Sequence, residues 1–106
     1  MNTICIISFY KFVPILDLDK LKHQIENICE NLKTKGTVLI APEGINGNIE
    51  GSKKNIDNFT KEIKSDERFI DLDPKFSFNS KNSFYRMKVR LKKEIVTIGN
   101  TQIDPN

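Results

Sequence analysis

The sequence predicts an α+β fold: a ferredoxin-like α/β sandwich, an antiparallel sheet with two helices on one face. Two observations carry this. Strand-length apolar stretches and two segments of helical periodicity follow in the order strand, helix, strand, strand, helix, then one or two strands. The chain has 106 residues, 38% of them hydrophobic and seven of them Phe, which suits one domain with a real core and leaves no room for a second. No internal repeat or low-complexity segment competes with this reading.

Thr3–Phe12 (TICIISFYKF) is short and rich in Ile and Phe, which suits a central strand buried on both faces, and Pro14 closes it. Asp17 is placed to cap a helix reaching about Lys33. Leu18, Leu21, Ile25, Ile28, Cys29 and Leu32 recur there at three- and four-residue steps, and His23 falls on the solvated face. Gly36 fits just past the helix end, where a positive φ is needed. Thr37–Ala41 is a second strand ended by Pro42. Ser52 caps a second helix with apolar positions Ile56, Phe59 and Ile63, ending near residues 65–68. Lys75–Phe78 is a short strand with Phe76 and Phe78 on one side. Tyr85–Lys92 alternates over eight residues, with Tyr85, Met87, Val89 and Leu91 against Arg86, Lys88, Arg90 and Lys92. Ile95–Ile98 extends the pairing after a kink, and Gly99 stops it.

Between the second strand and the second helix lies APEGINGNIEG, residues 41–51, with three glycines. Asn46-Gly47 signals a type I′ hairpin, and Glu43-Gly44 is a competing turn. Both cannot be the tight turn of one hairpin, so either the loop is longer or one glycine marks a bulge. Gly44-Ile-Asn-Gly47 matches the GxxG of KH domains in form only, because that loop joins two helices.

Charge is unevenly distributed. The net charge is +3, yet residues 79–93 hold Lys81, Arg86, Lys88, Arg90, Lys92 and Lys93 with no acid. Same-face residues of a strand stand about 6.7 Å apart, so four cations span roughly 20 Å, a stripe suited to a phosphate backbone. A plainer reading is a solvated edge strand that uses charge against edge-to-edge pairing. The strand lacks the aromatic signature of an RRM, so base readout by it is not expected. A weaker candidate is an anion site at Ser52, Lys53 and Lys54, where a helix start meets two lysines without P-loop spacing.

Several classes are excluded. Cys5 and Cys29 sit in apolar patterns, without metal or redox spacing, and His23 has no partner ligands nearby, so neither a metal nor a cofactor is expected. There is no Ser/His/Asp set and no telling carboxylate pair, and no catalytic residue is assigned. No apolar run reaches bilayer length and no secretory signal opens the chain, so a cytoplasmic location without membrane partners is expected.

Three stretches in order, FYKFVPILDLDKLK, KGTVLIAPEGINGNIEGS and RMKVRLKKEIVTIG, resemble the N-terminal domain of the bacterial tRNA wobble-uridine hydroxylases, a family of rhodanese-domain proteins. The likeness runs from about Ile7 to Pro105. It implies an acylphosphatase-like variant of the ferredoxin-like fold over residues 1–99, with 100–106 a linker toward a rhodanese domain outside this chain. That family forms 5-hydroxyuridine in tRNA using molecular oxygen, on a cysteine of the rhodanese domain that neither Cys5 nor Cys29 matches. The resemblance therefore implies tRNA and the rhodanese domain as partners. It makes Arg86, Lys88, Arg90, Lys92 and Lys93 the candidate RNA contacts, and Glu43 and Asn46 candidates for facing the neighbouring active site. An alternative is a structural module that packs on the rhodanese domain without touching RNA. Acyl-phosphate hydrolysis is not expected, because the loop after the first strand, Lys11-Phe-Val-Pro-Ile15, lacks the Arg it requires.

Overall fold

The computed structural model describes residues 4–81 and 86–93. Along them run β1 (Ile4–Phe12), α1 (Leu18–Leu32), β2 (Lys35–Ala41), β3 (Gly44–Gly51), α2 (Lys53–Ile63), a 3-10 turn (Glu67–Phe69), β4 (Lys75–Asn79) and β5 (Met87–Leu91). They build one five-stranded sheet in the order β4-β1-β3-β2-β5. The β4-β1-β3-β2 part is antiparallel throughout, as expected of a ferredoxin-like core. The fifth strand differs from expectation: β5 runs parallel to β2, so the sheet is mixed. Tyr85, the Ile95–Ile98 extension and the 100–106 linker lie outside the described residues.

The helices cover one face because alternate strand residues feed one core. Cys5, Ile7 and Phe9 of β1, Val38 and Ile40 of β2, Ile45 and Ile49 of β3 and Val89 of β5 are all buried there. Leu21, Ile25 and Cys29 of α1 and Ile56, Phe59 and Ile63 of α2 close over them. The Phe9 and Phe59 rings meet at 5.9 Å, tilted by 35°. Phe59 is fully buried, and side chains of this size are worth about 3–5 kcal/mol each by truncation.

Three local expectations are corrected. Asn46-Gly47 is no turn: both residues lie inside β3, and the hairpin closes at Pro42-Glu43, with Ala41 paired to Gly44. Glu43-Gly44 is likewise not the central pair of that turn. Gly47 serves packing instead. It stands directly opposite Phe9, and a Cβ there would lie 2.5 Å from the Phe9 ring. Gly36 does not end α1, because Lys33 takes the left-handed conformation (φ 55°) and donates its N–H back into the helix. Gly36 lies within β2 at φ +137°, where a Cβ would meet the Asn48 carbonyl oxygen at 2.1 Å. Nor is β1 central and buried on both faces: it has one strand between it and the edge, and only its helix side is fully closed.

Asp17 stands at the N-cap of α1 without a side-chain capping bond. Its carboxylate binds Arg68 instead, Nη1 to Oδ1 at 2.6 Å, while Arg68 also grips Asp66 at 2.7 Å. The residue before α1 is thereby tied to the turn after α2.

Candidate nucleic-acid interface

Among the described residues no helix lies over the second face of the sheet, and the alternation of β5 delivers its cations there. Val89 is buried and Met87 packs against the core, which turns Lys88 and Arg90 the other way. The ladder continues past both ends of the strand. Gly36 N donates to Arg86 O at 3.1 Å and Lys92 N donates to Ile40 O at 2.8 Å, so Arg86 and Lys92 keep the same alternation. The stripe therefore runs along an edge strand, with the cations standing on the open face.

Ion pairs engage some of the helix-side cations and leave others, such as Lys20, Lys54 and Lys61, without one among the described residues. Lys11 pairs with Asp71, Lys22 with Glu26, Lys53 with Asp57, and Arg68 with two aspartates. Among the described residues, Arg86, Lys88, Arg90, Lys92 and Lys93 form no ion pair. Charged groups left unpaired in water retain their full attraction for an external anion, and a row of them concentrates it.

The register brings residues from distant parts of the chain into line. Tyr10 of β1 faces Asn46 of β3, Asn46 faces Leu39 of β2, and Leu39 faces Arg90 of β5. One row along, Lys75, Ser8, Asn48, Thr37 and Lys88 cross the whole sheet, with Ser8 Oγ donating to Asn48 Oδ1 at 2.6 Å. Asn46 thus shares a face with the basic strand, but as a buried strand residue and not as part of a loop. Glu43 is in the two-residue turn at the sheet's end, where its carbonyl accepts from Val13 N at 2.9 Å.

At the start of α2, Ser52 Oγ accepts from Asn55 N at 3.1 Å, so the cap is formed from within. Lys53 bonds Asp57 at 2.6 Å and lies 5.9 Å from the Phe76 ring centre. Both thiols are buried. Desolvation pushes Cys29 up to about 11 and raises Cys5 as well, so neither is a thiolate at neutral pH. Among the described residues, no three His, Cys, Asp or Glu side chains are grouped to hold a metal ion, and no helix is long and apolar enough to cross a membrane.

One feature of this face escaped the sequence reading. Tyr10 and Phe12 are 50% and 52% exposed, with rings 5.8 Å apart and nearly perpendicular at 73°. The signal was present in the alternation of TICIISFYKF, where Phe9 and Tyr10 must face opposite ways. Taking the strand as buried on both faces hid it.

Fold and site together define an acylphosphatase-like α/β sandwich with a basic edge strand. Residues 4–95 match the family described as the UPF0176 acylphosphatase-like domain, and the chain belongs to that family. Curated relatives cover the whole chain. It is 42% identical over 106 residues to a tRNA uridine(34) hydroxylase of Legionella pneumophila (strain Corby), covering 100% of this chain and 42% of that protein. A protein of the same name from Acaryochloris marina (strain MBIC 11017) is 46% identical over 105 residues, 99% of this chain and 34% of that one. The chain thus spans about two fifths or less of the curated relatives it matches. Among solved structures, BlrB, a BLUF protein in its dark state, superposes with a TM-score of 0.69 at 17% identity, covering 86% of this chain and 74% of that one. The BlrP1 BLUF structure gives 0.67 at 21%, covering 88% and 66%. At these identities the likeness concerns the fold alone.

Proposed function

We propose that this domain is the tRNA-binding accessory module of an oxygen-dependent tRNA uridine(34) hydroxylase that forms 5-hydroxyuridine at the wobble position. In this reading Arg86, Lys88, Arg90, Lys92 and Lys93 contact backbone phosphates, and residues 100–106 lead to a further, catalytic domain. The observation that carries it is the row of cations on the open face of β5, where Lys88 and Arg90 stand opposite buried Val89 and the ladder carries the alternation on to Arg86 and Lys92. Protection of an edge needs only a charge or two, so six basic residues without an intervening acid call for a polyanion. The relatives' shared name points to tRNA as that polyanion. The buried, protonated state of both thiols supports placing the chemistry elsewhere in the full-length protein.

The test is tRNA affinity as a function of salt. Wild-type binding should weaken steeply as salt rises, by roughly one power of salt concentration per phosphate contact. Replacing Arg86, Lys88 and Arg90 by Glu should lower affinity at least about 100-fold at low salt and flatten the slope by about three. A triple variant that binds tRNA with wild-type affinity and slope defeats the assignment.

A second reading has an observation of its own. Phe76 and Phe78 of the edge strand β4 stand 46% and 57% exposed, which would suit packing against the remainder of a longer protein. In that case the domain is an interdomain spacer without RNA contact. A full-length structure with β5 buried between domains favours it over the first.

A further inference from the structure

The basic stripe can account for affinity toward a phosphate backbone, yet a stripe of cations cannot tell paired from unpaired RNA. The same face carries a second recognition chemistry on β1, three strands from β5. Tyr10 and Phe12 present two half-exposed rings on β1, and Tyr10 shares its register row with Arg90. Three inter-strand spacings separate β1 from β5, about 14 Å. Asn46 and Ala41 between them are buried, so a ligand would rest on the two banks and not on the middle of the face. Neither ring is needed by the core, which is closed on the opposite side by Phe9 and Phe59. Exposed rings beside a row of cations are the pairing by which proteins hold single-stranded nucleic acid, with bases stacked on aromatics and phosphates on Lys and Arg.

We infer that Tyr10 and Phe12 form a stacking platform for an unpaired base of the RNA whose phosphates lie along Arg86–Lys92. This rests on the phosphate-binding reading of β5 and adds the structural class of the ligand: an unpaired segment, such as a loop, and not a helical stem. Duplex bases are stacked on one another and keep their faces from the protein, so the rings discriminate by requiring a free face. No sequence preference follows, since every base offers a π-face.

The experiment compares a single-stranded oligoribonucleotide with an RNA duplex of equal length, using this chain. Tyr10→Ala with Phe12→Ala should weaken single-strand binding about tenfold or more and leave duplex binding within about twofold. Both side chains are half exposed, so the variant should fold, and Tyr10→Leu with Phe12→Leu keeps apolar bulk while removing the π-faces. A direct signal is also available, because the chain has no Trp and only two Tyr. In a Tyr85→Phe background, Tyr10 fluorescence should be quenched by the single strand and not by the duplex. Equal weakening on both RNAs, weakening on neither, or full retention in the Leu pair overturns the platform. Charge reversal at Arg86, Lys88 and Arg90 separates the two ideas. If it weakens both RNAs while the aromatic variants weaken neither, only the platform fails. If it weakens neither, the phosphate reading fails, and the platform with it.

Discussion

Gly47 faces the helix layer and leaves room for Phe9 to lie against the sheet, whereas Asn46, one residue earlier, points to the opposite face and lines up with Arg90. The two faces of this one sheet follow different rules. On the helix side the buried positions are explained by packing: apolar volume, and glycine where a ring comes close. On the open side are polar residues, half-exposed rings and a row of cations, which a stable core does not require. The lesson is that the fold's demands can be subtracted face by face, and what remains points to a ligand. It follows that substitutions on the first face should move stability and leave RNA affinity alone, while those on the second do the reverse.

The largest effect is expected deep in the helix face. Phe59→Ala should cost about 3–5 kcal/mol in urea unfolding, since the ring is fully buried and packs on Phe9. The folded fraction should still bind RNA as wild type does. The β5 charge reversals should instead change stability by no more than about 0.5 kcal/mol each. A stability loss from those reversals comparable to that of Phe59→Ala would break the division between the faces.

Gly47→Ala is the intermediate case and the sharper one. Its new methyl would lie 2.5 Å from the Phe9 ring, and Phe9 is only 2% exposed, so something packed must move. Overpacking of this kind costs about 1–3 kcal/mol. In a Phe9→Leu background the same substitution should cost measurably less, and the double-mutant cycle reports that coupling. A Gly47→Ala variant as stable as wild type would contradict the ring-over-glycine arrangement.

This pair also shows where sequence reasoning stopped. Local propensity reads Asn-Gly as a turn, and the dipeptide would serve well as one. A contact with Phe9, thirty-eight residues away, overrides that preference. Gly36 was misplaced for a similar reason: Lys33 accepts the left-handed position that a glycine usually fills, and the Asn48 carbonyl needs Gly36. The helices, the strand alternation and the Ser52 cap were legible, because each is written within a single segment. The basic stripe was legible for the same reason. Its placement on the same face as Tyr10 and Phe12 was not, since it depends on strand order and on β5 joining β2 in parallel, which no local pattern records.

Arg68 gives the smallest stability loss expected in the helix layer and tests how that layer handles charge. Its hydrogen bonds hold the Asp17 and Asp66 carboxyls below the usual range, and the Arg68 contact is the largest cause at each. Arg68 and its partners are partly exposed, with side-chain exposures of 25%, 37% and 29% for Arg68, Asp17 and Asp66. Solvent screening therefore discounts the network, and Arg68→Ala should cost about 1 kcal/mol at pH 7. Arg68→Lys should recover only part, lacking the fork that spans two carboxylates. Carboxyls lowered in the folded state stabilise it above their unfolded value of about 4, and that contribution is lost as pH falls through the lowered values. The gap between wild type and Arg68→Ala should consequently close as the pH drops below about 4. A gap that persists at pH 2 would instead assign the stabilisation to the guanidinium stacked 5.5 Å from the Phe69 ring centre, and the helix layer's charges would then matter by packing and not by pairing.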